Sequence, residues 1–246
     1  MSGHSKWANI KNKKAKTDAA KGKVFTKIGR ELAVAAKGGT DPALNSKLAD
    51  VIAKAKAANM PNDNIKRSIA KAAGELSAVN YENLTYEGYG IGGSAVIVQT
   101  LTDNVNRTAG DVRHIFSKYA GNMGTTNSVS YMFDTKGVLV VERTPDLDED
   151  KITDMAINAG ADDIIVEDDT YEIRTLPSDF SAVRKDLESQ GITFVESDIM
   201  MLPTNMVELN ESQLQTFLKM LDAFEDNDDV QQVYHNVVLP EEEEED

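Results

Sequence analysis

The chain has 246 residues, enough for two or three modest domains, and no cysteine, which excludes disulfides, thiolate zinc sites and cysteine nucleophiles together. Its net charge is −15, but residues 1–75 carry 16 basic and 6 acidic residues, a balance of +10, while residues 76–246 carry 10 basic and 35 acidic, a balance of −25. A cationic head on an anionic body suits a polyanion docked at one end and kept off the remainder.

No run approaches the roughly 18 uncharged apolar residues of a membrane helix, and the N-terminus lacks the apolar core of a secretory leader. The expectation is a soluble, cytoplasmic protein without a membrane partner. The three histidines, His4, His114 and His235, are far apart, so no metal and no cofactor is expected.

Residues 1–75 read as a basic arm followed by three amphipathic helices. The first spans about 18–36 and stops at Gly38–Gly39. Asp41–Pro42 supplies an N-cap and a first-turn proline for the second, whose stripe is Leu44, Leu48, Val51, Ile52 and Ala55. Pro61–Asn62–Asp63 opens the third, with Ile65, Ile69 and Ala72 inward.

Strand character begins near residue 82, with the apolar run Ala95–Leu101, a helix over 104–119 and a strand near Ser128–Phe133. Residues 137–202 read as β-α-β-β-α-β, the ferredoxin-like order. After Pro203 come a short strand at Met206–Leu209, a helix at Glu211–Phe224 and a strand at Val230–Leu239. Half a motif cannot bury its own sheet face. The expected fold is therefore α+β: a three-helix domain followed by two ferredoxin-like domains, one inserted in the other. The boundaries are 1–75, 76–135 plus 203–240, the insert 136–202, and an acidic tail 241–246.

The densest signal lies in the first 30 residues, with Lys6, Lys11, Lys13, Lys14, Lys16, Lys21, Lys23, Lys27 and Arg30 against one acid, Asp18. At about 100° per residue, Lys16, Lys23, Lys27, Arg30 and Lys37 share an arc of roughly 80°, opposite Phe25, Ile28 and Leu32. The near absence of interleaved acids favours a phosphate-binding face over a merely solvated one. Trp7, inside the arm, can stack on a base or anchor the arm on a neighbouring domain.

Asn104, Asn106, Arg107, Arg113 and His114 open or line a helix whose N-terminus can attract phosphate, or which is simply a capped surface helix. Gly88-Tyr-Gly-Ile-Gly-Gly93 formally matches a dinucleotide fingerprint, but it precedes a strand, so a tight turn is expected. Asp146–Asp150 lacks the glycine and glutamate of a calcium loop and is better read as helix capping by Asp148. No nucleophile, base and orienter converge, so catalytic residues and a small-molecule substrate are not expected.

Gly3-His-Ser-Lys-Trp-Ala-Asn-Ile-Lys11, Phe25-Thr-Lys-Ile-Gly-Arg-Glu31, Asn59-Met-Pro-Asn-Asp-Asn-Ile65, Tyr86-Glu-Gly-Tyr-Gly90 and Asn106-Arg-Thr-Ala together resemble the YebC/PmpR family of bacterial regulators, which is similar to a mitochondrial translational activator. The resemblance runs nearly end to end. It implies a helical N-terminal domain followed by two α+β domains, and a non-enzymatic transcriptional regulator that binds promoter DNA through its basic N-terminal region. For other members it implies a ribosome-associated factor, acting on rRNA or tRNA, that assists elongation through difficult sequences such as proline runs. The nucleic-acid-binding candidates are Lys6, Trp7, Lys11, Lys13, Lys14, Lys16, Lys23, Lys27, Arg30, Lys37, Arg107 and Arg113.

Overall fold

The computed structural model describes residues 18–74 and 80–240, which contain seven α-helices and two four-stranded antiparallel sheets. The architecture is α+β, with three helices first. The described elements group into two compact units, one holding the N-terminal helices and residues 135–200, the other residues 80–134 and 201–240.

In the first unit, α1 (Asp18–Ala36), α2 (Ser46–Ala57) and α3 (Asn62–Gly74) pack together. Ile28, Leu32, Ala35 and Ala36 recur at helical spacing, and all are buried against Leu48, Ala55, Met60 and Ile65. The second helix begins later than the Asp41–Pro42 signal suggests. Its N-cap is Asn45, whose Oδ1 accepts from the Leu48 N–H at 3.1 Å, whereas Asp41 Oδ1 accepts from the Ala43 N–H within a separate turn. Leu44 therefore precedes the helix and is 88% exposed, not part of the buried stripe.

The same unit contains β4 (Phe133–Glu142), α5 (Glu149–Ala159), β5 (Asp163–Val166), β6 (Thr170–Thr175), α6 (Phe180–Ser189) and β7 (Glu196–Pro203). The sheet order is β5-β6-β4-β7, the ferredoxin-like arrangement. Leu139, Val141, Tyr171 and Ile173 face Ile152, Ala156, Phe180, Val183 and Leu187 from the helices in one core. Asp148 caps α5 by accepting from the Lys151 N–H at 2.7 Å, and Gly160 ends it with φ +98°.

The second unit opens with a hairpin of β1 (Glu82–Tyr89) and β2 (Ala95–Thr102), joined by a 3-10 turn in which Gly92 and Gly93 take φ +70° and +76°. The glycine cluster is thus a turn, as its position before a strand indicates. It continues through α4 (Val105–Lys118), β3 (Asn122–Met123), α7 (Glu211–Asp226) and β8 (Val230–His235), in sheet order β3-β1-β2-β8. Val96, Val98, Phe116, Phe217, Met220 and Phe224 form its core.

Two expected strands are replaced here. Residues 130–132 make a 3-10 turn, and Phe133 begins β4 of the other sheet, while the second ladder partner of β1, beside β2, is the two-residue β3. The reason lies in Glu87: its buried carboxylate accepts the N–H groups of Asn127, Val129 and Ser130, each at 2.9 Å, so these donors are not available to a ladder. At Met206–Leu209 only Val207 pairs, in a parallel bridge with Val237.

Because β4–β7 with α5 and α6 carry a core of their own, residues 133–203 expressed alone are expected to fold. A single cooperative thermal transition by circular dichroism is the expected result; a non-cooperative melt would show that the sheet needs the rest of the chain.

Candidate nucleic-acid interface

The face of α1 opposite its buried stripe carries the cations. On it Lys23 is exposed and Lys27 and Arg30 are half-buried, while Ile28 and Leu32 point inward. Lys37 is exposed in the turn one residue past the helix end. The helix thus separates charge from core as the spacing implies. Lys6, Trp7, Lys11, Lys13, Lys14 and Lys16 lie outside the described residues.

Glu31, the acid on the described part of this helix's lower half, is answered by Lys54 of α2. Lys54 Nζ donates to Glu31 Oε1 and Oε2 at 3.0 and 2.9 Å and lies 2.7 Å from Asp198 Oδ2 on β7. Burial works to lower the lysine pKa, but the Asp198 and Glu31 carboxylates outweigh it and hold the ammonium well above its ordinary range. Burial, helped by Asp198, raises the Glu31 carboxyl despite the opposing pull of Lys54.

A second polar contact joins α2 to α6 of the same unit. Asp50 of α2 accepts from Ser181 Oγ at 2.6 Å and from Arg184 Nη2 at 3.0 Å, and Arg184 Nη1 donates to Glu188 at 2.7 Å. Lys54 and Asp50 sit one turn apart on α2 and face the ferredoxin-like domain with opposite charges. Neither was singled out from sequence, since a lysine and an aspartate on a mixed-charge helix carry no mark of their partners.

The other candidate cluster has a different character. Arg107 Nη2 donates to Asp229 Oδ2 at 2.7 Å and to Asp103 Oδ1 at 2.8 Å. Asp229 also accepts from Thr108 Oγ1 at 2.8 Å and Thr102 Oγ1 at 3.2 Å, so Arg107 helps tie α4 to the end of β2 and the start of β8. Asn104 caps α4 by accepting from the Arg107 N–H at 3.1 Å. Arg113 and His114 are exposed further along the helix. Arg107 is held by internal carboxylates; Arg113 is presented to solvent.

Family models match along almost the whole length of the chain: residues 5–75 fit the TACO1/YebC protein N-terminal domain, and residues 81–237 fit the TACO1/YebC second and third domain. The chain belongs to the TACO1/YebC family. It is 58% identical over 238 residues to a probable transcriptional regulatory protein of Acetivibrio thermocellus, covering 96% of this chain and 98% of that one. It is 56% identical over 242 residues to a probable transcriptional regulatory protein of Hathewaya histolytica, covering 98% of each. A crystal structure of a conserved hypothetical protein from Aquifex aeolicus superposes with a TM-score of 0.80 at 41% identity, covering 94% of this chain and 96% of that one. In this TACO1/YebC chain no helix of the described residues is long and apolar enough to cross a membrane.

Asp229 gives a pH test. Burial would raise its carboxyl, but the hydrogen bonds from Arg107 and Thr108 prevail and hold it below the ordinary carboxylate range. A depressed folded-state pKa contributes stability that is present above the unfolded value of about 3.9 and is lost as pH falls through the folded value. Asp229→Asn is expected to cost about 2 kcal/mol at pH 7. The gap from the parent should narrow below about pH 4, as read by denaturant unfolding at stepped pH.

Proposed function

We propose that this protein is a non-enzymatic, DNA-binding transcriptional regulator whose basic N-terminal region contacts the phosphate backbone. The observation that carries the reading is the division of α1: Ile28 and Leu32 are buried, while Lys23, Lys27 and Arg30 lie on the other side. A helix built this way can dock a polyanion without disturbing its own core. The arm preceding it adds Lys6, Lys11, Lys13, Lys14 and Lys16 with no acid among residues 1–17. The names of the relatives from Acetivibrio thermocellus and Hathewaya histolytica support a role in transcription. Arg113 is a secondary candidate contact. Arg107, bound to Asp229 and Asp103, supports α4 instead.

The test replaces Lys16, Lys23, Lys27 and Arg30 with Gln. Folding is expected to survive because the apolar stripe is untouched. Each lost phosphate contact should lower the magnitude of the log K against log salt slope by about 0.9 on duplex DNA, and four by roughly three to four units. Lys151 and Lys185 in the acidic body serve as controls whose replacement should leave the slope unchanged. Titrations against duplex DNA and structured ribosomal RNA at several salt concentrations decide between the two nucleic acids. An unchanged slope in the folded variant would remove the helix from the interface.

A further inference from the structure

The turn between α1 and α2 presents an apolar side chain in an unusual way. Leu44 is 88% exposed, whereas the other exposed aliphatic side chains of the described residues, from Val238 at 36% to Ile157 at 62%, keep more of their surface packed. Single exposed apolar residues are common and usually need no explanation. What distinguishes this one is the effort with which its loop is held.

Asn45, the next residue, fixes the loop from three directions. Its Nδ2 donates to the carbonyls of Ala35 at the end of α1 and Gly39 in the turn, both at 2.8 Å, and its Oδ1 accepts from Leu48 N–H at the start of α2. Leu44 N–H donates to the Asp41 carbonyl at 3.1 Å, and the Asp41 carboxylate accepts from Ala43 N–H at 2.9 Å. Pro42 stiffens the crest, and Gly39 takes φ +127°, where a side chain would be strained. A protruding leucine on a braced loop loses little conformational freedom when it enters another surface.

The charge around it indicates what that surface is. Lys37 and Lys47, both exposed, flank the loop, and its only acid is Asp41. Residues 18–74, which carry the loop, hold 11 basic and 5 acidic residues. A protein groove for a leucine would not require this excess of cations, whereas stacked bases flanked by phosphates would attract both parts at once.

We propose that Leu44 is an apolar wedge that the basic helical domain inserts between stacked base pairs of duplex DNA, unstacking one step and bending the duplex while the flanking lysines hold the adjoining phosphates. This deepens the DNA-binding reading above and rests on it. Wedges of this kind bend DNA by roughly 20–90°. A phosphate contact and a wedge differ in their signature: the first sets the salt slope, the second sets shape and affinity at constant slope.

The experiment uses the full chain and a mixed-sequence duplex labelled at both ends for energy transfer, with 2-aminopurine placed at successive interior steps. The parent protein is expected to shorten the end-to-end distance and raise 2-aminopurine fluorescence at one or a few steps. Leu44→Ala, which removes no packing, should keep the melting temperature and the salt slope, lose both optical changes and weaken binding about ten-fold. Leu44→Met should restore them, and Leu44→Lys should steepen the slope without restoring the bend. If Leu44→Ala bends and binds the duplex as the parent does, the wedge is overturned. If the parent binds with its full salt slope but neither bends nor unstacks DNA, the wedge alone falls. If the parent does not bind duplex DNA at all, the wedge falls together with the reading on which it rests.

Discussion

A lysine with 12% of its side chain exposed must be surrounded by compensating charge, and Lys54 has two carboxylates within 3.0 Å to supply it. Removing an ammonium from water is costly enough that such a site persists only when its partners are in place. One partner, Glu31, lies on α1, and the other, Asp198, lies on β7. The position of the basic helix within its unit is therefore tied to a charge balance that fails if any of the three groups is removed. Asp50, four residues earlier on α2, repeats the arrangement with the sign reversed against Arg184, whose side chain is only 3% exposed.

These contacts also affect what α1 offers on its other face. An unanswered Glu31 would place a negative charge one residue from Arg30. With Lys54 holding it from the α2 side, the carboxylate is compensated internally. Packing and electrostatics act in the same direction here: the stripe of Ile28, Leu32, Ala35 and Ala36 sets the helix's rotation, and the ion cluster sets its neutral side.

What was legible in the sequence is what periodicity and local chemistry encode. The order and class of the helices, the ferredoxin-like succession from β4 to β7, the cap at Asp148 and the turn at Gly92–Gly93 all follow from spacing within a few residues. The misses arise where a side chain reaches across the chain or where two local signals compete. Asp41–Pro42 is a good helix start in isolation, but Asn45 also bonds Ala35 and Gly39, and those extra bonds place the cap there. The Ser128–Phe133 segment alternates like a strand, yet Glu87, some 40 residues away, takes its N–H groups. Of the candidate site, the α1 stripe was readable because it depends only on helical geometry. The commitment of Arg107 to Asp229, 122 residues later, was not, because nothing local marks the partner.

Cations of the acidic body are engaged within the fold. Arg107 pairs with Asp229, Lys136 with Asp162, Arg174 with Glu172, and Arg184 with Asp50, while Arg143 donates to the Glu167 carbonyl and lies over the Tyr171 ring. Half of the ten basic residues beyond residue 75 thus have a named internal structural task. Cations held in this way relieve repulsion among 35 carboxylates but leave the surrounding field negative. The helical segment has the opposite balance, with 11 basic and 5 acidic residues over 18–74.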